Sequence, residues 1–211
     1  MRRPSTAALL LFAAAGCAPR ANPLEGAPVP AARVPAGQLP PGRTQSTMRW
    51  EYEEPGLSAR GEAVARVAPP DSARLDLFLG GGFGGGAAVL VGDELRLPGS
   101  ADGMRRFVPP PPLLWAALGR LAVPASPDTT VRVDGDFLRA DIGRDPVWRA
   151  TFAGEQLVRL ERIEDGRIAA WVARETEQRV RYRDERSGRT LTLTVERREN
   201  ALEFDPRIWR P

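Results

Sequence analysis

Four aspartates, Asp134, Asp136, Asp141 and Asp145, make the densest carboxylate run in the chain. They matter because few other groups here can do acid–base or metal chemistry. The 211 residues include no histidine, one cysteine and 30 basic residues, every one an arginine. Without histidine there is no imidazole base and no Ser-His-Asp or Cys-His pair. One cysteine alone cannot build a Cys/His zinc site. Lacking lysine, the chain has no Schiff-base nucleophile and no phosphate-loop lysine. The aspartates do not have the spacing of a calcium-binding EF-hand loop, and Asp134-Gly135-Asp136, set between two alternating segments, reads as a hairpin turn. A carboxylate-based hydrolase would need two acids brought together in a cleft, which spacing alone does not show. The expectation is therefore a non-enzymatic protein with no catalytic residue, metal or cofactor.

Two further runs invite chemistry. Gly80 to Gly86 contains the spacing G-x-G-x-x-G. A dinucleotide site needs that spacing between a strand and a helix; here Ala87 to Val91 reads as a strand and Gly92-Asp93 as a turn. The run is instead expected to be a mobile loop around Gly82, Phe83 and Gly84, with Phe83 able to close over a cavity or enter a membrane surface. Arg179, Arg181 and Arg183 alternate along a strand as a cationic ladder. Glu175, Glu177, Asp184 and Glu185 lie close by in sequence, and cross-strand pairing with them is expected.

The amino-terminal segment addresses the chain to a compartment. Met1-Arg2-Arg3 precedes an apolar run from Ala7 to Ala15. At about nine residues the run falls short of the roughly 20 needed to span a bilayer, so residues 1–16 read as a secretory signal peptide. Ala14-Ala15-Gly16-Cys17 resembles the lipobox of bacterial lipoproteins. That resemblance implies lipidation of Cys17 and anchoring to a membrane, and Ala18, in place of an aspartate, implies the periplasmic face of the outer membrane. Removing residues 1–16 takes away two arginines and no acid, so the formal charge falls from +3 to 28 − 27 = +1. The basic pI of about 9.9 therefore does not describe a polyanion-binding surface, and no nucleic-acid partner is expected.

These groups would be positioned by a tether and one domain. Residues 17–45 carry the lipidated cysteine and a Pro-rich stretch without apolar periodicity. Extended at about 3.1 Å per residue, that stretch reaches up to about 85 Å. Residues 46–211 alternate with period two, as in Leu75, Leu77 and Leu79, or Leu191, Leu193 and Val195, with polar partners between. Val158 and Leu160 are read in the same phase. Turn residues recur at Gly92-Asp93, Asp134-Gly135, Ala153-Gly154, Asp165-Gly166 and Ser187-Gly188. The pattern predicts a mainly β antiparallel meander of about ten or eleven strands, large enough to curl. One helix interrupts it after Pro112, with Leu113, Leu114, Ala117, Leu118 and Leu121 on one face. It either plugs the end of the sheet core or covers an apolar cavity, with Trp115 exposed or turned to a ligand.

The order of these features resembles the LolA/LolB-like lipoprotein-carrier superfamily, most nearly its DUF4292-type bacterial lipoproteins. The resemblance is carried by the strand pair Met48–Tyr52 and Leu57–Val67, by Ala73 to Leu79, by the Gly-rich turn with Val89 to Leu95, and by the helix after Pro112. It implies an incomplete, half-open β-barrel with one or more lid helices, whose concave face binds lipid or lipoprotein acyl chains. On that reading Gly61, Ala63 and Ala65 leave room in the cavity, and Leu75, Leu77, Val89, Val91, Trp115 and Leu118 form its wall or lid. The alternative is an envelope assembly lipoprotein with protein partners and a barrel filled by its own side chains.

Overall fold

The computed structural model describes residues 18–39, 41–81, 84–97, 105–201 and 203–210. Cys17 and the signal segment lie outside them, as do Gly82 and Phe83 of the glycine-rich run. Period-two alternation produces strands throughout: β1 (Ala27–Val29), β2 (Arg43–Glu54), β3 (Leu57–Ala68), β4 (Ser72–Leu79), β5 (Gly85–Val91) and β6 (Glu94–Arg96). After helix α1 (Pro111–Ala117) come β7 (Thr129–Asp134), β8 (Phe137–Ile142), β9 (Val147–Ala153), β10 (Gln156–Glu164), β11 (Arg167–Arg174), β12 (Arg179–Asp184) and β13 (Arg189–Ala201). β1 and β6, three residues each, are too short to show alternation. They account for the excess over the ten or eleven strands expected.

The described residues form one 13-stranded sheet in the order β1-β7-β8-β9-β10-β11-β12-β13-β2-β3-β4-β5-β6. Two antiparallel meanders, β2–β6 and β7–β13, are joined along a seam between β2 and β13 that runs from Glu53 opposite Thr190 to Arg43 opposite Ala201. β1 and β6 are the two edges and do not pair with each other, so the sheet curls without closing. The expected mainly β, half-open architecture is what the chain adopts. Its hairpins rest on the turn residues read from sequence. At Asp165-Gly166 both φ angles are positive, 50° and 69°, the requirement of the tight turn whose twist matches its strands.

Register assembles the inner face. Trp50 lies between Leu193 and Gly61, and Tyr52 between Leu191 and Ala59. The same face continues through Val180 and Tyr182 on β12, Val172 on β11, Leu160 on β10 and Ala150 on β9. Helix α1 lies on this face against β10, β11 and β12. Pro111 and Pro112 open it, where their missing N–H groups are not needed. Gly119, at φ 99°, lets the chain leave. Leu113, Leu114 and Trp115 are fully buried beneath it, each large apolar side chain contributing about 1.5–3 kcal/mol.

Three expectations need correction. Val89 and Val91 are not walls of the concave face: register sets Ala88 opposite Leu75 and Leu90 opposite Ala73, leaving Val89 opposite Arg74 on the convex side. There Arg74 Nη1 donates to Ile208 O at 3.0 Å, and the carboxy-terminal turn Pro206–Trp209 covers β4 and β5. Because Ala87 to Leu90 are all buried, hydrophobicity alone did not mark the phase. In β10 a bulge between Leu157 and Arg159 shifts the register, so Leu157 rather than Val158 joins Leu160 in the core. Finally, residues 18–39 are not a free tether. Ile168 N donates to Pro19 O at 2.8 Å and Ala21 N to Gly166 O at 2.9 Å. Arg149 Nη1 reaches Asn22 O at 2.7 Å, and β1 pairs with β7. Composition measures the capacity to bury a core; it does not register hydrogen bonds to an open sheet edge. The 85 Å reach is not available to this strap.

Candidate functional site

Packing divides the concave face into two ends. At one end the space is filled. Trp50 Nε1 donates to Glu62 O at 3.0 Å and Phe78 O at 3.1 Å. A Cβ on Gly61 would fall 1.8 Å from Phe78 O and 3.0 Å from Trp50 Nε1, so the room expected over Gly61 is taken by the indole and a neighbouring carbonyl. The Phe107 ring stands 4.7 Å from that of Tyr52 and 5.7 Å from that of Trp50. Tyr52 Oη donates to Glu54 Oε2 at 2.6 Å. Burial first, then this hydrogen bond, pushes the Tyr52 phenol up to about 12. Trp115, fully buried, donates from Nε1 to Gly92 O at 2.8 Å and so ties α1 to the β5–β6 hairpin. The Arg120 guanidinium covers its ring at 4.7 Å. Gly92 follows Val91, which lies opposite Ser72 and so level with the Thr44 end of β2, away from Trp50 and Tyr52; the indole is turned to protein there and not to a ligand.

At the other end of the same strands a cavity of about 650 Å³ remains. Met48, Ala65, Val67, Val180, Leu193 and Val195 of the sheet face Ala117 and Leu118 at the end of α1. Leu39, buried, closes one side from the strap, which is held at Leu121 N by Gly37 O at 2.9 Å. Two bulges border the space. One lies beside Leu157; the other, between Val195 and Arg197, aligns Arg198 with inward-facing Ser46. Bulges re-aim side chains in this way. Arg174 and Arg198 stand at the polar margin with exposed Glu155 and Glu177.

Of the residues selected from sequence, Ala65 and Leu118 line this cavity. Ala63, Leu75, Leu77 and Trp115 are packed in the core with 0–1% exposure, and Gly61 belongs to the filled end. Gly84, at φ 78°, lies at the margin of the glycine-rich turn, where its carbonyl accepts from Leu79 N at 3.1 Å.

Composition and alternation did not select Arg174, although a signal was present: it continues the apolar phase of Ala170 and Val172 and pairs with Val180. Among the described residues no carboxylate lies within ion-pair distance of it. Its Nη2 reaches Ala117 O at 3.5 Å and its Nη1 Glu177 O at 3.4 Å, both at the long limit of hydrogen bonding. Its Nε is buried without a partner. Burial first, and the neighbouring Arg198 charge second, lower its guanidinium below the usual arginine range.

The other charged runs are internally paired. Arg149 grips Asp141 with two bonds of 2.7 and 2.8 Å, Arg139 pairs with Asp134 at 2.7 Å, and Asp134-Gly135-Asp136 is the β7–β8 turn. Among the described residues no cluster of acids could hold a metal ion. Arg179 and Arg181 both meet Glu175 at 3.1 Å, and Arg183 meets Glu185 at 2.9 Å. The ladder is thus neutralised by residues flanking it on its own hairpin and strand. A second depression of about 630 Å³, between Asn22–Glu25 of the strap and the outer face of β8–β10, is lined by Arg139, Arg149, Arg159 and Glu161.

No protein-family model matches the chain, and no curated protein matches it. Similar solved structures include a LolA superfamily protein from Nitrosomonas europaea, 10% identical over 85% of this chain and 95% of that one, with a TM-score of 0.47. A domain from Vibrio parahaemolyticus attributed to outer membrane lipoprotein sorting is 6% identical over 80% and 89%, with a TM-score of 0.46. A DUF1329 family protein from Desulfovibrio piger is 12% identical over 80% and 89%, with a TM-score of 0.42. The superfamily that the sequence resembles is represented among them.

Proposed function

We propose that this chain is a membrane-anchored, non-enzymatic envelope lipoprotein whose half-barrel binds the acyl chain of a lipid or lipoprotein. The observation that carries the reading is the cavity of about 650 Å³ between α1, the strap and the inner sheet face, within the range of roughly 300–1,000 Å³ usual for small-ligand sites. Met48, Ala65, Val67, Val180, Leu193 and Val195 give it an apolar wall, which gains by contact with methylenes at about 0.8 kcal/mol each; Thr44, Ser46, Gln156 and Asn200 add polar groups. The acids beside it, Glu155 and Glu177, are exposed at the margin, unlike a hydrolase pair enclosed in a cleft. Lipidation of Cys17 would supply the anchor, with several acyl chains making it stable. Since Ala18 O accepts from Arg167 Nη1 at 3.1 Å, such an anchor would seat the β10–β11 turn near the membrane surface, on the periplasmic face of the outer membrane. The filled end supports the alternative of an assembly lipoprotein only for that half of the barrel.

The test is to incubate the full chain with membrane lipids, re-isolate it and identify extracted molecules by mass spectrometry. Acyl lipid recovered in stoichiometric amount supports the reading; repeated recovery of none would overturn it. For the anchor, Cys17→Ser is expected to move the protein from the membrane to the soluble fraction. An unchanged distribution would count against lipidation.

A further inference from the structure

The cavity has an apolar wall and, at one margin, two arginines that form no ion pair among the described residues, beside the exposed Glu155 and Glu177; the two features together specify more than a greasy chain. Arg174 sits on an inner-face position, half-buried, with long bonds to two carbonyls and no carboxylate within ion-pair distance. A buried N–H without a partner is unfavourable, and Arg174 Nε is such a group. Arg198 lines the same cavity with its Nε 3.4 Å from Ser46 Oγ, also without an ion pair among the described residues. Most other arginines on the strands are matched to acids; these two lie beside one another and repel.

We infer that the cavity takes a single-chain fatty carboxylate, with its chain against Met48, Ala65 and Leu193 and its carboxylate received by Arg174 and Arg198. This deepens the acyl-binding reading and rests on it. A carboxylate is planar and matches the guanidinium fork, and it would satisfy Arg174 Nε while relieving the repulsion between the two cations. A volume of about 650 Å³ lies within the range of small-ligand sites and suits one chain better than the two of a diacyl lipid. Glu155 and Glu177 at the margin disfavour a doubly charged phosphate monoester.

The experiment compares palmitate with hexadecanol, the same chain with an uncharged head, by competition against a fluorescent fatty-acid probe on the full chain carrying Cys17→Ser. Palmitate is expected to bind at least about tenfold tighter, the effect of one charge-assisted hydrogen bond of about 1.5 kcal/mol or more. Arg174→Gln should remove most of that preference and Arg174→Lys should retain part of it; Arg198→Gln should reduce it less. Equal binding of the two ligands overturns the head-group assignment and leaves the acyl reading standing, whereas binding of neither overturns both. Tighter binding of lysophosphatidate than of palmitate would overturn the carboxylate. Equal loss of both ligands in Arg174→Gln would make Arg174 a structural residue and overturn its role.

Discussion

The two ends of the concave face share the same strands and the same alternation, yet one is solid and the other hollow. Along β2 the inner positions run Tyr52, Trp50, Met48 and Ser46. The first two are packed to 1% exposure, and the last two open onto the cavity. What separates them is side-chain volume set against backbone geometry. Gly61 admits the Trp50 indole and Phe107 stacks on Trp50 and Tyr52 at the same end, while among the described residues no aromatic ring lines the other. Small residues on a concave face therefore do not mark a ligand site by themselves. Gly61 is small because the Trp50 indole and the Phe78 carbonyl occupy its space; Ala63 is fully buried, whereas Ala65, one inner-face position beyond, lines the empty space.

The strongest way to break this contrast is Trp50→Ala. It deletes a fully buried indole and strands the carbonyls of Glu62 and Phe78, so it is expected to cost about 3–5 kcal/mol in denaturant unfolding. A loss under about 1 kcal/mol would mean that this end is not the structural anchor. A sharper contrast comes from one substitution made at two sites a strand repeat apart. Ala63→Leu overpacks the solid end and should cost about 1–3 kcal/mol. Ala65→Leu extends into the cavity and should change stability by less than about 1 kcal/mol, while weakening acyl-chain binding about tenfold or more. Equal stability losses at both sites would erase the distinction.

How far such contrasts were legible beforehand differs by feature. Alternation placed the inner faces of β3, β4, β12 and β13 correctly, because the other side of each carries mostly polar or charged residues. It failed in β5, where Ala87 to Leu90 are buried on both sides, and in β10, where the bulge after Leu157 breaks the two-residue period. The strap was unreadable for another reason: its ordering comes from backbone bonds to β7 and to arginines on distant strands, and a proline-rich composition carries no trace of those partners. The cavity lies at the Ala65 end of β3. Arg174, an arginine in phase with Ala170 and Val172, was its visible sign, whereas the inward aim of Arg198 depends on a bulge.

Smaller effects refine the picture of the core. Trp115→Phe keeps an aromatic ring but loses part of a fully buried indole and its bond to Gly92 O, and about 1–3 kcal/mol of destabilisation is expected. At neutral pH the smallest effect is that of the two buried phenols. Tyr52 and Tyr182 are each raised to about 12, Tyr52 by burial and Glu54, Tyr182 by burial and Asp184, against about 10 in an unfolded chain. Folding therefore favours the protonated phenols. Their contribution is complete below pH of about 10 and is lost as pH rises through about 12. Unfolding free energy followed across that window should fall, and Tyr52→Phe should make the fall shallower; a flat profile would show that these phenols are accessible.

The central claim is that an acyl chain occupies the hollow end and not the solid one. Photo-crosslinking of the full chain with a fatty acid bearing a diazirine in mid-chain, followed by peptide mapping, tests it directly. Adducts are predicted on the segments holding Met48, Ala65, Leu118 and Leu193. Adducts confined to the segment holding Phe107, or none above a denatured control, would contradict the account.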